Sequence, residues 1–143
     1  MPSVLRVVVD ANVWVSALLN PDGRPGRLLE AARRNAFELV ASWALADELA
    51  DLLSRPSTKR CALVDRQIQD ILVLLAPYLP EVDVAIEPRD PDDAPVVASA
   101  HAGNADMIVT GDRGQLDDDL RAWLAERRIE LLTPAELLER MTA

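Results

Sequence analysis

The chain is poor in the residues on which several familiar chemistries depend. Its one cysteine, Cys61, cannot form an internal disulfide, so a plain thiol in a reducing cytoplasm is expected. Its one histidine, His101, excludes zinc sites built on several His and Cys ligands. A Ser-His-Asp triad would have to use His101, which is distant from any Gly-x-Ser-x-Gly turn. The five glycines are scattered singly, so no glycine-rich phosphate loop exists. No apolar run approaches the roughly 18 to 20 residues that span a bilayer. The N-terminal residues reach Asp10 too soon for a signal peptide, so no membrane partner is expected.

What is present points to one globular domain over residues 1–143, with half its residues hydrophobic. The net charge of −9 is unevenly spread. Residues 1–72 hold nine cationic and nine anionic side chains, whereas residues 73–143 hold six and fifteen. Overall acidity works against binding a polyanion by simple attraction. Local basic segments remain in the first half: Arg24, Arg27, Arg33 and Arg34, then Arg55, Lys59, Arg60 and Arg66. They can hold phosphates or simply form solvated helix faces.

Strand and helix signals alternate. Residues 4–9 are β-branched and little interrupted, as in a strand buried on both faces. A short helix is expected over 13–19, ending at the turn Asn20-Pro21-Asp22-Gly23, and a second over 26–35 with Leu28, Leu29 and Ala32 inward. A strand near 37–40 follows, then a helix over 43–54 capped by Ser42. Asp65 is placed to cap a helix carrying Ile68, Ile71, Leu72 and Leu75, and residues 82–86 read as a strand. A helix from the acidic turn 90–93 to about 102, a strand at 107–110, a helix near 117–127 and a strand at 129–132 come next. Thr133-Pro134-Ala135-Glu136 has the form of a capping box opening a last helix over 134–142. Such alternation implies a parallel sheet covered on both faces.

Acids fall where these elements meet. Asp10 closes Val7-Val8-Val9, and Thr110-Gly111-Asp112 closes Met107-Ile108-Val109. Ligands in open parallel sheets gather at the carboxyl ends of strands, and like charges held close there call for a cation or a shared proton. Asp10 is either a metal ligand or the cap of the following helix; Asn12 could take over capping, and Ser16 lies one turn further on. Glu48 falls in the stripe of Leu45, Leu49 and Leu52, so it is either a core-facing carboxylate with a cation or a side chain reaching water. Of Asp90, Asp92 and Asp93, Asp92 is the natural cap, leaving Asp93 facing the sheet edge or solvent. Asp112 is a turn residue or a ligand, and the missing side chain of Gly111 would permit a tight turn there. Four carboxylates on strand ends and helix starts make an oxygen-only site suited to Mg²⁺ or Mn²⁺.

Together, Val8-Val9-Asp10-Ala11-Asn12-Val13-Trp14, Leu45-x-x-Glu48-Leu49, Asp90-x-x-Asp93 and Ile108-Val109-Thr110-Gly111-Asp112 resemble the PIN domain family. The similarity is closest to the toxins of toxin–antitoxin pairs, the VapC-like ribonucleases, and covers nearly the whole chain. It implies a three-layer α/β/α sandwich with a five-stranded, mostly parallel sheet and a Mg²⁺- or Mn²⁺-dependent ribonuclease acting on RNA. By matching position, Asp10, Glu48, Asp93 and Asp112 would be the acidic quartet, with Asn12, Ser16, Thr110 and Asp92 as polar support. A small antitoxin partner and a homodimer are also implied. The chain departs from relatives that carry a further acid where Gly114 stands, and its acid pair Asp92-Asp93 is shifted by one position.

Three rivals share some of these features. A haloacid-dehalogenase-like phosphatase wants a second acid where Asn12 stands and a lysine at the sheet end, whereas the single lysine is Lys59. A receiver-like module lacks its acid pair and its late lysine here. A PIN fold reduced to an inert binding module would bind no metal.

Overall fold

A computed structural model describes residues 5–20, 22–53, 78–79, 94–111 and 118–142. Strand β1 (Arg6–Val9) is central. Its valines 7, 8 and 9 are 0%, 0% and 2% exposed, so both faces of the strand are covered, as the unbroken β-branched run demands. Helices α1 (Ala11–Leu19) and α2 (Arg24–Arg33) follow, joined by a turn in which Gly23 N–H donates to Asn20 O. Leu28 and Ala32 of α2 are buried, while Leu29 is only partly so.

The next extended segment serves two partners. Its first part, β2 (Glu38–Leu39), lies parallel to β1, and its second, β3 (Ala41–Ser42), lies parallel to β4 (Tyr78–Leu79). Proline flanks β4 on each side in sequence, which suits a short strand near a sheet margin. On the other side of β1 come β5 (Met107–Val109) and β6 (Glu130–Leu132), again parallel. Among the described residues the main sheet has four strands in the order β2-β1-β5-β6, with β3 and β4 as a separate parallel pair. Of the five strands expected, the one at 82–86 lies outside the described residues, and the segment after Phe37 divides into β2 and β3 because it changes partner halfway.

Helices α3 (Trp43–Leu53), α4 (Ala94–Ala102), α5 (Asp118–Glu126) and α6 (Pro134–Thr142) complete the described structure. Helix α1 packs on α2 and α3, α2 on α6, and α3 on α4, giving the α/β sandwich. The capping box at α6 is reciprocal: Thr133 N–H donates to Glu136 Oε1 at 3.1 Å and Glu136 N–H to Thr133 Oγ1 at 3.2 Å. The expected helix around 68–75 and strand at 82–86 lie outside the described residues, as does its proposed cap Asp65.

Three helices hand over to strands through the same device. Asn35, Asn104 and Arg128 take left-handed φ values of 59°, 49° and 58°. Each is followed by a residue whose N–H reaches back five positions: Ala36 to Ala31 O, Ala105 to Ala100 O and Ile129 to Leu124 O. This is the Schellman pattern, which satisfies the orphan carbonyls at a helix end. It aims the chain into β2, β5 and β6 and so sets the strand starts from which the opposite, carboxyl edge is built.

Candidate active site at the carboxyl edge of the sheet

Asp10 is the first residue beyond β1. Its N–H donates to Val109 O at 2.9 Å, which ties the end of β1 to the end of β5. Its backbone is extended (φ −60°, ψ 143°), and its carbonyl accepts from Val13 N at 2.9 Å and Trp14 N at 3.4 Å. Asp10 is therefore the N-cap of α1 by position and by backbone. Its side chain makes no capping hydrogen bond. That separates the two readings open in the sequence: the main chain starts the helix, and the carboxylate is turned elsewhere.

It turns towards Thr110. The register Val9 beside Val109 sets the two following residues side by side, and Thr110 Oγ1 donates to Asp10 Oδ2 at 3.3 Å, a long and weak bond. Thr110 is itself buried, and its N–H donates to Leu132 O at 2.9 Å, so β6 holds it in place. Residues one hundred positions apart thus meet at the carboxyl edge; Asp112, the acid of the second junction, lies outside the described residues.

Glu48 arrives on α3, which packs against α1. Leu45 and Leu49 beside it are 2% exposed, Asp47 and Asp51 are exposed, and Glu48 is half-buried at the edge of the stripe. Its Oε2 is shielded from solvent. Burying a carboxylate oxygen calls for a compensating charge or donor beside it.

The supporting residues divide. Because α1 begins at Ala11 and not near residue 13, Asn12 lies within the first turn and does not cap the helix. Asn12 and Ser16 are both exposed and one turn apart on α1. Gly111 also departs from expectation. Its φ is not left-handed, and a Cβ there would meet nothing within 4 Å, so neither a special turn nor a close approach requires glycine. Asp92, Asp93, Asp112 and Gly114 lie outside the described residues. In sequence, Asp93 immediately precedes α4 and Asp112 comes two residues after Thr110. Among the described residues no group of three or more His, Cys, Asp or Glu is placed to hold a metal. The two that meet, Asp10 and Thr110, offer only oxygen, the donor type of Mg²⁺ and Mn²⁺.

One contact was not foreseen. Ser99 of α4 donates from Oγ to Ser42 Oγ at 2.7 Å, and Ser42 Oγ also accepts the Leu45 N–H at 3.2 Å, capping α3. Both hydroxyls are buried. The pair locks the helix carrying Glu48 to the helix that follows Asp93. The signal was a lone serine in the apolar run Val96-Val97-Ala98-Ser99-Ala100. Such a residue needs a partner when buried.

Comparison with known proteins fits this geometry. Residues 6–114 match the family model described as PIN domain, a span that includes β1, α3, β5 and the positions of Asp10, Glu48, Asp93 and Asp112. The chain is also 27% identical over 145 residues to the uncharacterized protein MJ1680 of Methanocaldococcus jannaschii, covering 94% of this chain and 90% of that one. PIN domains are generally nucleases and typically use divalent metals. Among the described residues, no helix is long and apolar enough to cross a membrane. With three quarters of its length inside the match, the chain belongs to the PIN domain family.

Proposed function

We propose that this protein is a Mg²⁺- or Mn²⁺-dependent endoribonuclease, the toxin of a type II toxin–antitoxin pair, working as a homodimer held in check by a small antitoxin. The observation that carries the nuclease reading is the Asp10 carboxylate, released from helix capping and joined to Thr110 across the ends of β1 and β5. Asp10, Asp93 and Asp112 would hold the ion, and Glu48 would either join them or orient the attacking water. What such an ion supplies when bound is polarisation of the phosphoryl group and activation of a water for in-line attack. The rest belongs to the chain. Thr110 holds the Asp10 carboxylate in one orientation, the Asp10–Val109 backbone bond fixes where that carboxylate starts, and Ser42–Ser99 keeps α3 in place. Family membership removes the phosphatase and receiver alternatives.

The test is a nuclease assay on defined tRNA, rRNA and mRNA substrates with and without EDTA, comparing wild type with Asp10→Asn. Cleavage that needs metal and disappears in the variant is expected. Full metal-dependent activity in Asp10→Asn would overturn the site. A calorimetric Mn²⁺ titration showing no binding near millimolar metal would instead mark an inert binding module.

A further inference from the structure

We infer that Arg24 and Arg27, on the first turns of α2, form a phosphate-holding pair that takes the backbone of a single-stranded RNA beside the carboxylate edge; this rests on the ribonuclease reading above. In a chain with 24 acids and 15 Lys and Arg residues, an exposed cation that makes no ion pair is open to an outside anion. Most described arginines are engaged. Arg33 and Arg34 lie 3.8 and 3.7 Å from Glu30, Arg6 pairs with Glu38, Arg140 with Glu130, and Arg127 lies over the Trp123 ring. Arg24 and Arg27 are exposed, three residues apart on one helix face, and neither makes an ion pair with a described residue. The basic segment read as one block in the sequence is therefore two: Arg33 and Arg34, which share the single carboxylate of Glu30, and an available end at residues 24 and 27.

Their position is set by the fold. Pro25, between them, lines the same apolar pocket as Val9 and Val13, the residues on either side of the Asp10 turn. The far end of α2 turns at Asn35 into β2, whose Glu38 is in register with Arg6 at the opposite end of β1. Helix α2 therefore runs against the strands, with its available arginines at the level of Asp10 and those that share Glu30 at the other edge. A polyanion approaching an acidic centre needs cations close beside it, and guanidinium groups grip phosphate without reading base sequence.

The experiment is fluorescence anisotropy of a labelled single-stranded RNA of about 16 nucleotides, in EDTA to prevent cleavage, between 50 and 200 mM KCl. Wild type, Arg24→Gln/Arg27→Gln and the control Arg128→Gln are compared. Each single-strand phosphate contact contributes about 0.7 to the salt slope, so the double variant should lose about 1.4 from it and bind about tenfold more weakly at low salt. The control should match wild type. An unchanged slope and affinity in the double variant would overturn the inference. So would wild-type protein that ignores RNA while binding a poly-glutamate peptide through the same arginines. Failure of the nuclease reading looks different: RNA held through these arginines, yet not cut when Mg²⁺ or Mn²⁺ is restored.

Discussion

The two edges of the central sheet carry the same kinds of residue and treat them differently. At the amino edge, acids are met by donors within the protein. Glu38 takes the Arg6 guanidinium at 3.1 Å, Asp106 Oδ2 accepts the Arg6 N–H at 2.8 Å, and Glu130 takes Arg140 at 2.9 Å. Arg6 Nε also donates to Gly103 O at 2.8 Å, pinning the turn between α4 and β5. At the carboxyl edge, Asp10 is met by a hydroxyl, at 3.3 Å, and its own helix is capped by backbone alone. One edge closes its electrostatics to hold the strands together. The other sets the Asp10 carboxylate beside a hydroxyl where the ends of β1 and β5 meet.

The sharpest way to break this contrast is to neutralise one acid at each edge. Asp10→Asn should lower metal-dependent cleavage by at least about 100-fold, more than the 10- to 100-fold typical of groups that only support a metal ligand. Its thermal unfolding should stay close to wild type. Glu38→Gln should leave cleavage unchanged and cost no more than about 1 kcal/mol, because its ion pair is partly exposed and screened. Equal losses of activity in the two variants would erase the distinction. Thr110→Val comes next: it keeps the shape but removes the donor to Asp10, so Mn²⁺ affinity by calorimetry should fall roughly tenfold. An unchanged affinity would mean that the hydroxyl only fills space.

Much of this was legible in the sequence because local signals agreed with the fold. The valine run named β1, the turn at 20–23 separated α1 from α2, and Thr133 to Glu136 announced α6. What was not legible depended on distant partners. Whether Asp10 capped its helix through backbone or side chain turns on a hydroxyl one hundred residues away. The residues after Phe37 look like one strand, and only their neighbours show that they serve β1 first and β4 second. Gly111 was read as permitting a tight turn before Asp112, and its φ here is not left-handed. The arginines of α2 looked alike, and only the structure shows that Arg33 and Arg34 share Glu30. Asp93 and Asp112 rest on sequence position alone.

Smaller effects test the frame that supports both edges. Ser99→Ala removes the buried donor to Ser42 but leaves Ser42 capping α3, so a loss of about 1 kcal/mol is expected, roughly 3 to 5 °C in thermal midpoint. A matching drop in Mn²⁺ affinity, rescued by Ser99→Thr, would show that the pair also positions Glu48. Stability loss alone would confine it to packing.

The smallest expected change is a gain. Arg128 holds a left-handed φ of 58° at the end of α5, a conformation that costs a residue with a Cβ about 1 kcal/mol and costs glycine little. Arg128→Gly should therefore raise stability by up to about 1 kcal/mol in urea denaturation, offset in part by the greater freedom of glycine in the unfolded chain. The substitution removes a charge beside β6 at the amino edge, away from Asp10 and Thr110, so cleavage should not move. If activity fell together with the gain in stability, the two edges would be coupled through β6, whose Leu132 carbonyl holds the Thr110 backbone.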